Sequence, residues 1–164
     1  MNNRVILILG LALAFANVAF ANEEVVKRFE KLTLSFTQMV NSQEAKISPP
    51  TGSVSVWYRR KIYVRDVAYD VRRTDSLVSP FAGEIFYVCG ARGAKGLTEL
   101  EVKTAPEQFD TGGGKCRANY AFQSSRWVFK AATCYDHISK KTWQPVEDPS
   151  QGIYYDCKQL LPQE

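Results

Sequence analysis

The sequence predicts an α+β domain in which one N-terminal amphipathic helix packs on a curved antiparallel sheet of about five or six strands. Three observations carry that prediction. A single apolar stripe at spacings of three and four runs from Val25 to Val40. Beyond Thr51 the apolar residues fall at every second position, in short runs separated by Gly, Pro, Ser and Asp. Four cysteines, Cys89, Cys116, Cys134 and Cys157, all lie in the strand-patterned part.

The first 21 residues stand apart from this domain. Arg4 is followed by an apolar run from Val5 to Ala16 and then by Ala19-Phe20-Ala21, the order of a secretory leader with its cleavage site. As a membrane anchor the run is short and is interrupted by Asn17. No cysteine lies near the cleavage site to take a lipid, and Leu161–Glu164 lacks a cell-wall sorting signal. The expectation is an exported chain, periplasmic or extracellular, with residues 22–164 forming one domain and no membrane anchor in the mature form. Loss of the leader lowers the formal net charge from +4 to +3, because it removes Arg4. Such a mild excess favours anionic surfaces slightly and demands no particular partner.

An even number of cysteines in an oxidising compartment reads as two disulfides. Zinc would want close pairs, and the spacings here are 27, 18 and 23. Three connectivities are open. The expectation is Cys134–Cys157 for the tail and Cys89–Cys116 across neighbouring strands.

Asn22 is a candidate helix cap, with Glu23 and Glu24 in the first turn where the helix dipole favours negative charge. Val25, Val26, Phe29, Leu32, Phe36, Met39 and Val40 form the stripe, and the helix is expected to end near Asn41. The polar side mixes signs, which fits a helix lying on a sheet better than one lying on a membrane. Pro49-Pro50 and Thr51-Gly52 turn the chain. Ser53–Asp66 reads as strand, with a bend, bulge or hairpin tip at Arg59-Arg60-Lys61.

At the centre lies a ribbon from Val67 to Tyr87. Val67, Tyr69 and Val71 alternate with polar residues. On the return, Ile85, Tyr87 and Cys89 share one face and Phe86 and Val88 the other, the pattern of a strand deep in the sheet. Thr74–Gly83 between them is a polar corner, with Pro80, Gly83 and the backbone-bonding side chains Asp75, Ser76 and Ser79. The stretch Tyr69-Asp70-Val71-x-x-Thr74-Asp75-Ser76-Leu77-Val78-Ser79-Pro80-x-x-Gly83 resembles a recurring segment of small bacterial exported proteins. The resemblance implies no known activity and carries over no functional residue.

Gly90–Gly96, with three glycines, is expected to turn, Leu97–Thr104 to form a strand through Leu100 and Val102, and Ala105–Lys115 to be a loose loop. Thr111-Gly-Gly-Gly-Lys115 lacks the spacing of a phosphate-binding loop. Cys116–Gln123 and Arg126–Tyr135 make a hairpin with its turn at Ser124-Ser125. Trp143–Val146 is a candidate last strand, and the tail beyond it is expected to be irregular apart from a short piece near Ile153–Tyr155. Helix followed by antiparallel strands resembles the cystatin or nuclear-transport-factor-like layout, on element order alone. A small barrel with an N-terminal helix is the alternative.

Motifs for chemistry are sparse. His137 is the only histidine. Ser76 or Ser79, His137 and Asp75 could be assembled into a hydrolytic set, but no nucleophile-elbow motif supports it. Glu99 and Glu101 read as a solvated row, and a single histidine supplies no two-histidine metal motif. No catalytic residue, cofactor or metal is assigned. The candidate partner-binding surface is basic and aromatic: Trp57, Tyr58, Arg59, Arg60 and Lys61, extended by Tyr63, Arg65, Arg72 and Arg73, with Asp75 and Ser76 at the corner. Such residues can bind single-stranded nucleic acid, which an exported protein rarely meets. The expectation is a non-catalytic exported binding or accessory protein, inhibitor-like or immunity-like, acting on an anionic envelope component or a protein. A small hydrolase and a structural subunit of an envelope assembly are the alternatives; oligomeric state stays open.

Overall fold

The computed structural model describes residues 3–51, 55–136 and 142–162, with side chains from Asn22 onward. One helix, α1 (Asn3–Ser42), lies on an antiparallel sheet built from β1 (Lys46–Ser48), β2 (Trp57–Arg73), β3 (Phe81–Gly96), β4 (Phe109–Asp110), β5 (Gly114–Gln123), β6 (Arg126–Asp136) and β7 (Thr142–Pro145). Two short helices, α2 (Glu99–Thr104) and α3 (Ile153–Gln159), complete the fold. Strand order is β1-β2-β3-β5-β6-β7, with β4 also paired to β3. The sheet is open, so the fold is the helix-on-sheet plan and not a closed barrel. It has seven strands, more than expected, because β1 and β4 are too short to show a periodic pattern.

The core is the meeting of two periodicities. Val25, Phe29, Leu32, Phe36 and Val40 recur at helical spacing and are buried. They meet Ile62, Val64, Ile85, Tyr87, Cys116, Ala118, Tyr120 and Trp127 from the inner face of the sheet. Phe29 sits at the centre, 4.5 Å from Trp127 and 5.5 Å from Tyr120 between ring centroids. Gly83 carries no side chain there because a Cβ would run into the Phe29 ring. Burying five such helix side chains supplies roughly 1.5–3 kcal/mol each for the larger ones, enough to fix the helix without a strong N-cap. Asn22 is no cap in the full chain, since α1 runs through it from Asn3; the residue types before it continue the helix.

Several expectations are corrected. β2 passes straight through Arg59-Arg60-Lys61. Its irregularity falls instead between Arg65 and Ala68, where Asp66 takes φ 53°. That extra residue flips the phase, so Ile62 and Val64 point inward before it and Val67 and Val71 after it. Gly90–Gly96 does not turn; it is the second half of β3. Glycine serves close approach there, as at Gly93, where a Cβ would strike the Arg59 carbonyl. Leu97–Thr104 is a helix start. Thr98 accepts from the Glu101 N–H at 3.2 Å, and Glu101 Oε2 accepts from the Leu97 N–H at 2.7 Å, a pairing close to a capping box. Glu99 pairs with Lys103 at 2.5 Å, so the two glutamates are helix-terminal groups and not a strand row.

The predicted β5–β6 hairpin is present, with Ser124 and Ser125 at φ 49° and 64° in the mirror-image turn that strand twist favours. All four cysteines are oxidised, but the pairing differs from the expectation: Cys89–Cys157 and Cys116–Cys134. Cys116 and Cys134 face each other across the hairpin. Cys89, in the middle strand, is then left to tie the tail, which forms α3 and is less irregular than expected.

Candidate functional site

The sites predicted from the sequence do not gather in one place. Trp57, Tyr58, Arg59, Arg60 and Lys61 lie at one end of β2, and Asp75 and Ser76 lie beyond its other end. At about 3.3 Å per residue the separation is on the order of 50 Å. Period two also divides the basic run between the two faces of the sheet. Arg59 donates to the Lys103 and Ala105 carbonyls, at 2.8 and 2.7 Å, and so closes the C-terminus of α2. Arg60 pairs with Asp156 of α3 at 2.8 Å. Tyr58 has the Lys95 ammonium 5.9 Å from its ring. Arg59 and Arg60 are therefore engaged in holding α2 and α3. His137 lies outside the described residues. Asp136, just before it, is at the end of β6 away from the Asp75–Ser76 corner, which bonds to the hairpin tip through Gln123 and Ser79.

What the fold does assemble is a cleft one step further along β2. Lys61 on β2 faces Arg92 on β3, which faces Asp110 on β4, so three charged residues form a row across three strands. Tyr63 crosses β3 above Gly90, where any Cβ would meet the phenol ring, and its hydroxyl donates to Asp110 Oδ1 at 2.6 Å. The Gly112 N–H donates to the same oxygen at 2.8 Å. Arg65 donates to the Gly112 carbonyl at 3.0 Å, and Arg92 pairs with Glu107 at 3.2 Å across exposed side chains. Lys61 makes no ion pair among the described residues. Lys61, Tyr63, Arg65, Arg92 and Asp110, with Asn41 and Val64, line a cavity of about 440 Å³.

Charge is ordered within the cleft. The Tyr63 hydroxyl and then the Gly112 N–H hold the Asp110 carboxyl below the usual carboxylate range. Burial, and then the bond to Asp110, push the Tyr63 phenol above its usual range. Asp110 is thus spent on Tyr63 and the Gly112 loop, while Lys61, Arg65 and Arg92 bring their positive charges to the same wall. Such a set can hold an anionic group by charge-assisted hydrogen bonds.

Lys61, Tyr63 and Arg65 belonged to the basic and aromatic run legible in the sequence. Arg92 and Asp110 did not, because they sit in segments read as a turn and a loop. The linear sequence carries no signal for them; only the β2–β3–β4 register brings them in. Among the described residues, no group of three His, Cys, Asp or Glu side chains could hold a metal ion, and no helix is long and apolar enough to cross a membrane. Comparison of the chain with protein-family models, with curated proteins and with solved structures finds no match.

Proposed function

We propose that the chain is a non-catalytic exported binding protein that takes an anionic group, a carboxylate, phosphate or sulfate of an envelope component or of an acidic protein partner, into the Lys61–Arg65–Arg92 cleft. The observation that carries this reading is the convergence of three cations from two strands on a cavity of about 440 Å³ whose single lining carboxylate, Asp110, is already hydrogen-bonded by Tyr63. The leader-like first 21 residues and the two disulfides support a working place outside the reducing cytosol.

The test is retention on an immobilised sulfated polysaccharide and on a neutral one. The parent chain is expected to bind the anionic matrix and to elute as salt screens the contact. Replacement of Lys61, Arg65 and Arg92 by Ser should abolish retention while leaving the melting temperature within a few degrees. Unchanged retention by that variant would remove the cleft from the function.

A further inference from the structure

We propose a second contact surface, independent of the cleft: the end of the domain that carries the Thr74–Pro80 corner docks on an anionic lipid surface, with Leu77 and Val78 entering its apolar layer. Leu77 is 100% exposed and Val78 73% exposed. An isolated exposed leucine needs no explanation, but this pair sits at the apex of a loop built to hold it outward. The Thr74 N–H donates to the Pro80 carbonyl at 2.9 Å, and the Thr74 hydroxyl donates to the Ser79 carbonyl. The Ser76 N–H is taken by Thr74 Oγ1 at 3.3 Å and the Ser79 N–H by Ser76 Oγ at 3.1 Å. Gln123 of the hairpin tip donates to Ser79 Oγ at 2.7 Å. These bonds fix the shape of the turn and so hold the Leu77 and Val78 side chains outward.

The rim around the apex is basic. Arg72 and Arg73 end β2, and Arg126 begins β6 beside Gln123; all three are exposed, and Asp75 is the carboxylate within the corner itself. Apolar tip and basic rim together fit an anionic headgroup layer better than the neutral apolar pocket of a protein. A second observation points the same way. α1 enters the domain at this end: the Trp127 indole N–H donates to the Val25 carbonyl at 3.3 Å, and the Arg28 guanidinium lies 6.0 Å from the Phe122 ring centroid. Phe122 pairs with Phe81, and Phe81 with Arg73. The apolar run Val5–Ala16 precedes that entry in the same helix, so in the uncleaved chain it leaves the domain at the corner's end.

The test uses the chain recovered from its host, with the same N-terminus verified by mass spectrometry for every variant. Vesicles of phosphatidylglycerol are compared with vesicles of phosphatidylcholine. Co-sedimentation is expected with the first and not the second, and the double substitution Leu77→Ser, Val78→Ser should weaken it at least about tenfold. The variant Leu77→Trp keeps an apolar apex and reports directly. Its added emission should shift to the blue on phosphatidylglycerol vesicles and become shielded from an aqueous quencher. Replacing Lys61, Arg65 and Arg92 should leave that shift in place, which separates this surface from the cleft. A tryptophan at 77 that stays wet in the presence of vesicles, or a serine double variant that binds as well as the parent, overturns the proposal. So does an apex that binds only a protein fraction.

Discussion

The two ends of the β2–β3 ribbon are held by opposite means. At the corner end, Thr74, Ser76, Ser79 and Pro80 bond within a span of a few residues, and one distant bond, from Gln123 to Ser79, is added to these. At the cleft end nearly every restraint comes from far along the chain. Arg59 reaches residues 44 and 46 positions away, Arg60 reaches Asp156 at 96 positions, and Cys89 is bonded to Cys157 at 68. Local bonds close little chain entropy and can form before the rest of the fold; distant ones form only once it exists. The corner can therefore keep its shape with an apolar apex in water, whereas the cleft depends on the completed domain.

The largest test of this contrast lies in the disulfides. Replacing Cys89 and Cys157 by Ala should cost about 4 kcal/mol of unfolding free energy, and replacing Cys116 and Cys134 about 3 kcal/mol, because the first closes the longer loop. Denaturant unfolding measures both. The first variant should also loosen α3, since Asp156 no longer holds Arg60 firmly. If the hairpin bridge proves the more costly to lose, the cleft end is not the one that depends on distant restraints.

A smaller effect is expected at the corner. Thr74→Val keeps shape but removes the hydroxyl that serves Ser79 and Ser76, and should cost about 1–2 kcal/mol. Limited proteolysis should then cut between residues 74 and 80 while the core amides keep their hydrogen-exchange protection. Loss of protection throughout the sheet would show that the corner is not a separate unit.

The smallest effect is a titration in the cleft. Asp110 is depressed when folded, so its contribution is complete above about pH 4 and is lost as pH falls through its folded value. Tyr63 is raised when folded, so its contribution is complete below about pH 10 and is lost as pH rises through its folded value. The pair is intact between those limits. Asp110→Asn should lower the Tyr63 midpoint, read from phenolate absorbance against Tyr63→Phe, without returning it to that of free tyrosine, because burial remains. An unmoved midpoint would show that Asp110 does not act on Tyr63.

The elements legible in the sequence were those whose pattern outlasts local noise: the stripe of α1, five of whose seven residues are buried while Met39 is exposed, the alternation of β2 and β3, and the hairpin around Ser124-Ser125. Errors arose where a short element borrowed the wrong signal. Leu100 and Val102 alternate as in a strand, yet only Val102 is buried and Leu100 is 70% exposed; Thr98 with Glu101 was the truer sign. The glycines of β3 looked like a turn because close packing and tight turning ask for the same residue. The cysteine pairing was partly readable. Counting outward from the hairpin turn brings Cys116 within one residue of Cys134, and the one-residue shift near Asn119 completes it. The phase change between Val64 and Val67 likewise marks the bulge at Asp66. Arg92 and Asp110 were beyond reach, since their meeting with Lys61 depends on a register that no local pattern encodes.

One side chain at the end of α1 has a consequence for the open edge of the sheet. Asn41 donates to the Val64 carbonyl at 3.1 Å and accepts from the Val64 N–H at 3.0 Å, filling one rung beside β2 just beyond the reach of β1. A strand from another chain that sought to extend the sheet there would first have to evict this amide, and would then meet Arg65, Asp66, Asp70, Arg72 and Arg73 along the rest of the rim. The helix that covers the core thus also stands sentry over the open border of the sheet, discouraging the end-to-end templating through which β-proteins become fibres.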